Sequence, residues 1–299
     1  MKLLITGATG LIGTALYKKL RNQHQLTVLT RNANKAYQKL GHDIEVITQL
    51  SELNDLNPFD AVINLAGEPI ADKRWSNDQK RRIEQSRWQI TEQLAHLFEA
   101  SDQPPGVLIS GSAIGYYGRQ GREPVTEDSH KVHDEFTHRL CAHWEALAIQ
   151  AESDKTRVCL LRTGIVLAQD GGALQRMALP FKFGLGGPIG DGKQMMSWIH
   201  LDDMVDLILY LLNNEECKGP YNATAPNPVS NEEFSRTLAR VLNRPCLLRV
   251  PAVVMRALLG EMADMILTGQ AVLPERIQQH GFEFRHSTVR DALQQCCKA

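Results

Sequence analysis

A short apolar run, Lys2-Leu3-Leu4-Ile5-Thr6, leads straight into Gly7-Ala8-Thr9-Gly10-Leu11-Ile12-Gly13, and a helix-forming stretch continues through Leu20. No other feature constrains the chain as strongly. A strand that ends in glycines and restarts as a helix needs side-chain-free backbone, because the turn is sharp and the helix packs close to the strand. The first turn of that helix carries N–H groups without intrahelical partners, which suit an anion such as a pyrophosphate. The GxxGxxG spacing is weak alone. Its place directly after an N-terminal strand makes it a dinucleotide-binding signature. Gly7, Thr9, Gly10, Leu11, Ile12 and Gly13 are the candidate contacts.

The remaining chain alternates in the way that a doubly wound α/β sheet requires. Strands are predicted at 2–6, 26–31, 43–48, 61–66, 107–112 and 157–162, with continuous apolar runs suited to parallel strands buried on both faces. Helices are predicted near 11–22, 76–100, 132–152 and 202–213. Beyond residue 167 the alternation fades into glycine-rich loops at 171–172 and 184–192, followed by helical segments at 230–242 and 251–268. The reading is a Rossmann domain over 1–167, with parts of 195–225 returning to it. A smaller C-terminal substrate lobe, with its own extension, spans 168–299. Apolar stripes in the last 70 residues are expected to be core. A ligand belongs at the carboxyl ends of the strands, between the lobes.

Lys and Arg number 33 against 34 Asp and Glu, so no global field attracts nucleic acid or anionic lipid. Neither is expected as a partner. The six cysteines show no CxxC and no regular spacing, which points to reduced thiols. No signal-peptide pattern and no apolar run of roughly 18 residues is seen, so the expected setting is cytoplasmic. Oligomeric state is left open, a homodimer included.

At the end of the second strand, where an acid usually holds the ribose 2′-OH of NAD, the chain reads Thr30-Arg31-Asn32. An arginine forks onto a 2′-phosphate, and no carboxylate repels it. Thr30 and Arg31 therefore favour NADP(H) over NAD(H).

Several longer stretches carry a family resemblance. They are Gly7 to Gly13, Asn64-Leu65-Ala66-Gly67-Glu68-Pro69-Ile70 with Arg74-Trp75, and Ser110-Gly111-Ser112-Ala113-Ile114-Gly115-Tyr116-Tyr117-Gly118. Further on come Leu161-Arg162-Thr163-Gly164-Ile165-Val166-Leu167, Gly190 through His200 to Asp203, Tyr221 to Pro226, and Gly260-Glu261 to Pro274. Together they resemble the extended short-chain dehydrogenase/reductase superfamily, and within it the bacterial YfcH-like, epimerase-like branch. The resemblance implies that Leu65, Ala66, Gly67, Arg87, Ser110, Thr163, Gly164 and Ile165 line the cofactor. It also implies that Glu68, Lys193, Gln194, Trp198 and His200 border a substrate.

The catalytic set departs from that superfamily, which pairs a serine with a Tyr and a Lys four residues later. With Glu145 taken as the acidic position of the matching helix, Thr137 and Cys141 stand where Tyr and Lys are expected. Ser112 keeps the serine position, and Tyr116 and Tyr117 on the adjacent loop are the substitute phenols. His130, His133, His138, His143 and Cys141 lack metal-ligand spacing, so no metal is expected. Two functions follow. One is an NADP(H)-dependent oxidoreductase or epimerase moving hydride reversibly on a small polar, sugar-nucleotide-like substrate. The other is a catalytically silent NADP(H) sensor or interaction protein.

Overall fold

The computed structural model describes residues 1–297. Seven parallel strands form its central sheet: β1 (Lys2–Thr6), β2 (Gln25–Leu29), β3 (Glu45–Ile47), β4 (Ala61–Asn64), β5 (Val107–Ala113), β6 (Arg157–Thr163) and β7 (Gly219–Ala223). Their order in space is β7-β6-β5-β4-β1-β2-β3, so the winding reverses between β1 and β4. A crevice at the carboxyl ends of the strands belongs at that reversal. Eight helices matter to the site: α1 (Leu11–Leu20), α2 (Ala33–Leu40), α3 (Asn77–Glu99), α4 (Phe136–Ile149), α5 (Gly172–Lys182), α6 (Leu201–Asn213), α7 (Asn231–Val241) and α8 (Ala252–Leu259).

Strand side chains alternate between two faces. Leu3, Ile5, Ile63, Ile109 and Leu161 pack with Leu16 of α1 and with Leu207 and Leu211 of α6. Leu4, Val62, Leu108 and Leu160, one residue out of step, pack with Leu94 and Phe98 of α3 and Ala148 of α4. Both faces are thus apolar, which is why the strands read as unbroken hydrophobic runs. A second core gathers Leu174 and Phe181 of α5, Trp198, Phe234 and Leu238 of α7, and Leu293 of the final helix, Val289–Cys296.

Besides β7, which no predicted strand covers, several helical segments differ from the sequence expectation. Helix α2 is unforeseen, although Asn32 caps it by accepting the Lys35 N–H at 3.0 Å. Helix α5 fills the span between the two stretches read as loops, which the sequence reading left without an element. The span 251–268 is not one helix, because Gly260 turns at φ +62° and divides α8 from a 3-10 turn at Gly260–Ala263. Its apolar stripe is not core either: α8 buries none of its residues, and Val253 is 75% exposed. Among the described residues no helix is long and apolar enough to cross a membrane.

Candidate functional site

The glycines of the first turn do three different jobs. Gly7 bends at φ +70°, so close to the end of β4 that a Cβ would sit 2.4 Å from the Leu65 carbonyl oxygen. A Cβ on Gly13 would lie 2.3 Å from the Gly7 carbonyl oxygen, so that glycine brings α1 onto the turn. Gly10 is exposed and forms the N-cap of α1 without any capping side chain. Thr14 makes the first helical bond, donating to the Gly10 carbonyl at 2.9 Å. The amides of Leu11, Ile12 and Gly13 are left as donors at the positive end of the helix. That cradle fits a pyrophosphate. Lys39 of α2 also reaches it, with Nζ donating to the Thr9 carbonyl at 2.9 Å. Arg31 lies exposed at the end of β2 with no ion-pair partner among the described residues. Beside it the Thr30 hydroxyl accepts the Asn32 N–H at 3.3 Å.

Beneath the crevice runs a buried polar chain. Thr6 Oγ1 donates to Asn64 Oδ1 at 2.6 Å and accepts the Ala66 N–H at 3.1 Å. Asn64 Nδ2 donates to Thr91 Oγ1 at 2.9 Å, and Trp144 Nε1 donates to the same oxygen at 3.0 Å. These bonds fix the ends of β1 and β4 against α3 and α4, and so hold Leu65, Ala66 and Gly67 in place. Over Gly67 lies the guanidinium of Arg87, whose Cζ is 2.9 Å from where a Cβ would stand. Arg87 Nη1 donates to the Ile83 carbonyl at 3.0 Å, while Nε and Nη2 have no hydrogen-bond partner among the described residues. Its Cζ lies over the Trp144 ring, 5.2 Å from the ring centre. No carboxylate comes within ion-pair distance among the described residues. Burial presses the Arg87 pKa below the ordinary guanidinium value, with Cys141 and Glu68 working the other way.

A second arginine has the opposite surroundings. Ser112, Arg162 and Asn222 stand side by side across β5, β6 and β7. Arg162 grips Glu145 of α4 with Nε at 2.9 Å and Nη2 at 2.8 Å, while Ser112 Oγ donates to the same carboxylate at 2.6 Å. Arg162 Nη1 donates to the Tyr117 hydroxyl at 3.0 Å, and that hydroxyl donates to Asn222 Oδ1 at 2.8 Å. The guanidinium also stacks 3.6 Å from the Tyr116 ring centre. Burial opposes the Arg162 charge, but the Glu145 hydrogen bonds and negative charge outweigh it and raise the pKa. Burial raises the Tyr117 phenol as well, with Arg162 opposing.

The three catalytic candidates therefore belong to one interior network. Tyr117 is 0% exposed and both ends of its hydroxyl are engaged, so it is a structural beam and not a phenol facing substrate. The Ser112 proton is committed to Glu145. Tyr116, half-buried, lines a polar cavity of about 590 Å³ with Glu127, His130, His138, Arg162 and Arg276. That cavity shares no residue with the glycine turn or with Leu65 to Gly67. Near the cleft, Ser110 is buried in β5. Gly164 donates to the Ala223 carbonyl at 3.1 Å and Ile165 to the Ser197 carbonyl at 2.9 Å. Thr163 Oγ1 donates to the Leu161 carbonyl at 3.2 Å. A Cβ on Gly164 would lie 2.7 Å from the Ser197 oxygen, so only glycine fits there.

Residues 3–224 match the model of the NAD dependent epimerase/dehydratase family. The chain belongs to that family. Residues 250–296 match a further domain of unknown function, DUF1731. A chloroplastic SDR39U1 homolog of Arabidopsis thaliana, named an epimerase family protein, is 44% identical over 300 residues, covering 98% of this chain and 86% of its own. Human epimerase family protein SDR39U1 (isoform 2), crystallised with NADPH, superposes with a TM-score of 0.90 at 33% identity over 99% of each chain. UDP-glucuronic acid 4-epimerase of Bacillus cereus, solved with UDP-glucuronic acid and NAD, shares the fold with a TM-score of 0.78 at 18% identity, over 98% and 97% of the two chains.

Two residues of α4 occupy the positions that the sequence reading set for Tyr and Lys. Thr137 is buried and its hydroxyl donates to Glu135 at 3.0 Å. Cys141 is 2% exposed, and burial, reinforced by Glu145, pushes its thiol up to about 12. Neither supplies an acid or a cation at neutral pH.

The substrate candidates scatter. Glu68 is half-buried next to Gly67, its N–H donating to Ser86 Oγ at 2.9 Å. Lys193 is exposed. Gln194 Nε2 spans the Ile189 and Ile266 carbonyls at 3.1 and 3.0 Å, so it pins loops together. Trp198 and His200, implied to border a substrate, form a strand (Trp198–His200) paired with Ile165–Leu167. Trp198 is fully buried and donates to the Asn227 carbonyl at 3.1 Å. His200 Nδ1 caps α6 by accepting the Asp202 N–H at 3.1 Å. Asp203 accepts the Arg285 and His286 N–H groups at 2.8 and 3.0 Å, tying the C-terminal extension to α6. Ligand atoms of His200, Asp202 and His286 lie within 4.8 Å of one another. His200 Nδ1 is already an acceptor there, and the positive helix end disfavours a cation.

Asn64, Thr91, Trp144 and Glu145 are the residues whose roles sequence reasoning missed. Each is an ordinary letter in a strand or helix, and only the pairing of strands with α3 and α4 gives it a partner.

Proposed function

We propose that this chain binds one NADP(H) in the crevice at the β1–β4 reversal. There it would serve reversible hydride transfer on a small polar substrate of the sugar-nucleotide class. The observation that carries the reading is the side-chain-free turn at Gly7–Gly13, closed against Leu65 and left with uncapped amides at α1. Those amides and Lys39 would hold the pyrophosphate, and Arg31 would fork onto the 2′-phosphate. Leu65 to Gly67, Ser110 and Thr163 to Ile165 would line the nicotinamide half, which carries the hydride. A substrate entering beside it would meet Glu68 and the exposed Lys193. The 168–299 lobe would close that side, in a cytoplasmic setting. Titration with NADPH and NADH, followed by nicotinamide fluorescence, tests the cofactor. One NADPH per chain, bound at least about tenfold tighter than NADH and levelled by Arg31→Ala, is the expected result. Equal affinities, or none, would overturn it.

A second reading has its own observation. With Ser112 bonded to Glu145, Tyr117 sealed inside and Cys141 protonated, no phenol–lysine pair adjoins the cofactor, which favours a cofactor sensor without turnover. A carbonyl-substrate panel monitored by NADPH absorbance separates the two. Any substrate-dependent oxidation excludes the silent reading.

A further inference from the structure

We infer that Arg87 takes the place of the missing helix lysine, carrying its positive charge to the nicotinamide end from α3 instead of α4. The inference rests on the NADP(H) reading above. Four observations converge on it. The guanidinium lies on Gly67, at the end of β4, where any side chain would displace it. Its Nε and Nη2 edge makes no hydrogen bond among the described residues, although its other amine is held by the Ile83 carbonyl. It rests on the Trp144 ring, whose nitrogen is fixed by Thr91. And Cys141, at the position read as that of the absent lysine, is a small, buried and uncharged side chain, so it leaves room for a cation from elsewhere.

A half-buried cation without a carboxylate is costly unless something anionic or strongly polar completes it. Arg162 shows how the same chain treats an arginine meant for structure. Arg87 is instead held as a fork with an open edge, suited to ribose hydroxyls and to negative charge developing beside the nicotinamide. A fixed positive charge there also discriminates between cofactor forms, favouring the neutral reduced ring over the cationic oxidised one.

The test is a set of NADPH and NADP⁺ affinities measured by fluorescence and calorimetry. Arg87→Met should weaken NADPH about ten- to hundredfold, while NADP⁺ loses less, so the reduced-form preference narrows. Arg87→Lys should retain part of the affinity. Moving the charge back, in Arg87→Met with Cys141→Lys, should recover most of it. Cys141→Lys alone sets two cations together and should lower thermal stability without tightening NADPH. If wild type binds no NADPH, the cofactor reading itself fails. If wild type binds and Arg87→Met binds both forms as tightly, the assignment of Arg87 is overturned, whether or not the double variant folds.

Discussion

Two arginines, one on each side of Trp144 and Glu145, mark the two halves of this molecule's chemistry. Arg162 sits in a closed network where each guanidinium nitrogen has an acceptor: a carboxylate gripped by two of them, a phenol for the third, and an aromatic face alongside. Arg87 has one carbonyl, one distant hydroxyl and an open edge above Gly67. The difference separates a part that holds β5, β6 and β7 to α4 from a part whose open edge we assign to the cofactor. Full satisfaction marks structure, and incomplete satisfaction of a costly group marks function.

The largest effect expected from breaking this contrast is on the closed side. Arg162→Met leaves Glu145 buried and uncompensated, and should cost about 3–5 kcal/mol in denaturant unfolding. A loss under about 1 kcal/mol would mean that the network is not what holds β6 to α4. Tyr117→Phe strips the bridge between Arg162 and Asn222 and should cost about 1–3 kcal/mol, with NADPH affinity unchanged. A variant of full stability with abolished turnover would return Tyr117 to the catalytic set.

A smaller effect is expected at His200, through pH. Burial, helped by His286, lowers its pKa below the ordinary 6.5, against the pull of Asp202 and Asp203. The folded protein then binds fewer protons than the unfolded chain, so the capping contribution is full above about 6.5 and is lost as pH falls toward the lowered folded value. Asn in place of His200 keeps the cap acceptor without the titration. Its melting temperature should fall less than wild type's between pH 7 and 5, and parallel curves would discard His200 as the source.

Much of the sheet was legible because strands buried on both faces must be apolar throughout and the first turn must be glycine. Six of the seven strands stand out for that reason. β7 does not: Gly219–Ala223 is short, edge-placed and begins with Gly-Pro, so nothing local marks it as the neighbour of β6. Its absence from the sequence reading hid Asn222, and with it the reason Tyr117 is buried. In the candidate site, the glycines are readable because the turn they make is local. The Ser112–Glu145–Arg162 contact is not, since it depends on the register Ser112↔Arg162 and on which face of α4 meets the sheet. Helix α8 fails for another reason. Its apolar periodicity is real, but periodicity says only that a face is hydrophobic, not that anything covers it.

The most direct test of the contrast is the thermal unfolding of Arg87→Met beside wild type, each with and without saturating NADPH. Removing a cation that has no carboxylate partner should leave the melting temperature of the cofactor-free protein unchanged or higher, and should remove most of the rise that NADPH gives wild type. A cofactor-free melting temperature that drops as steeply as that of Arg162→Met, with the NADPH-induced rise intact, would show that Arg87 is one more piece of structure.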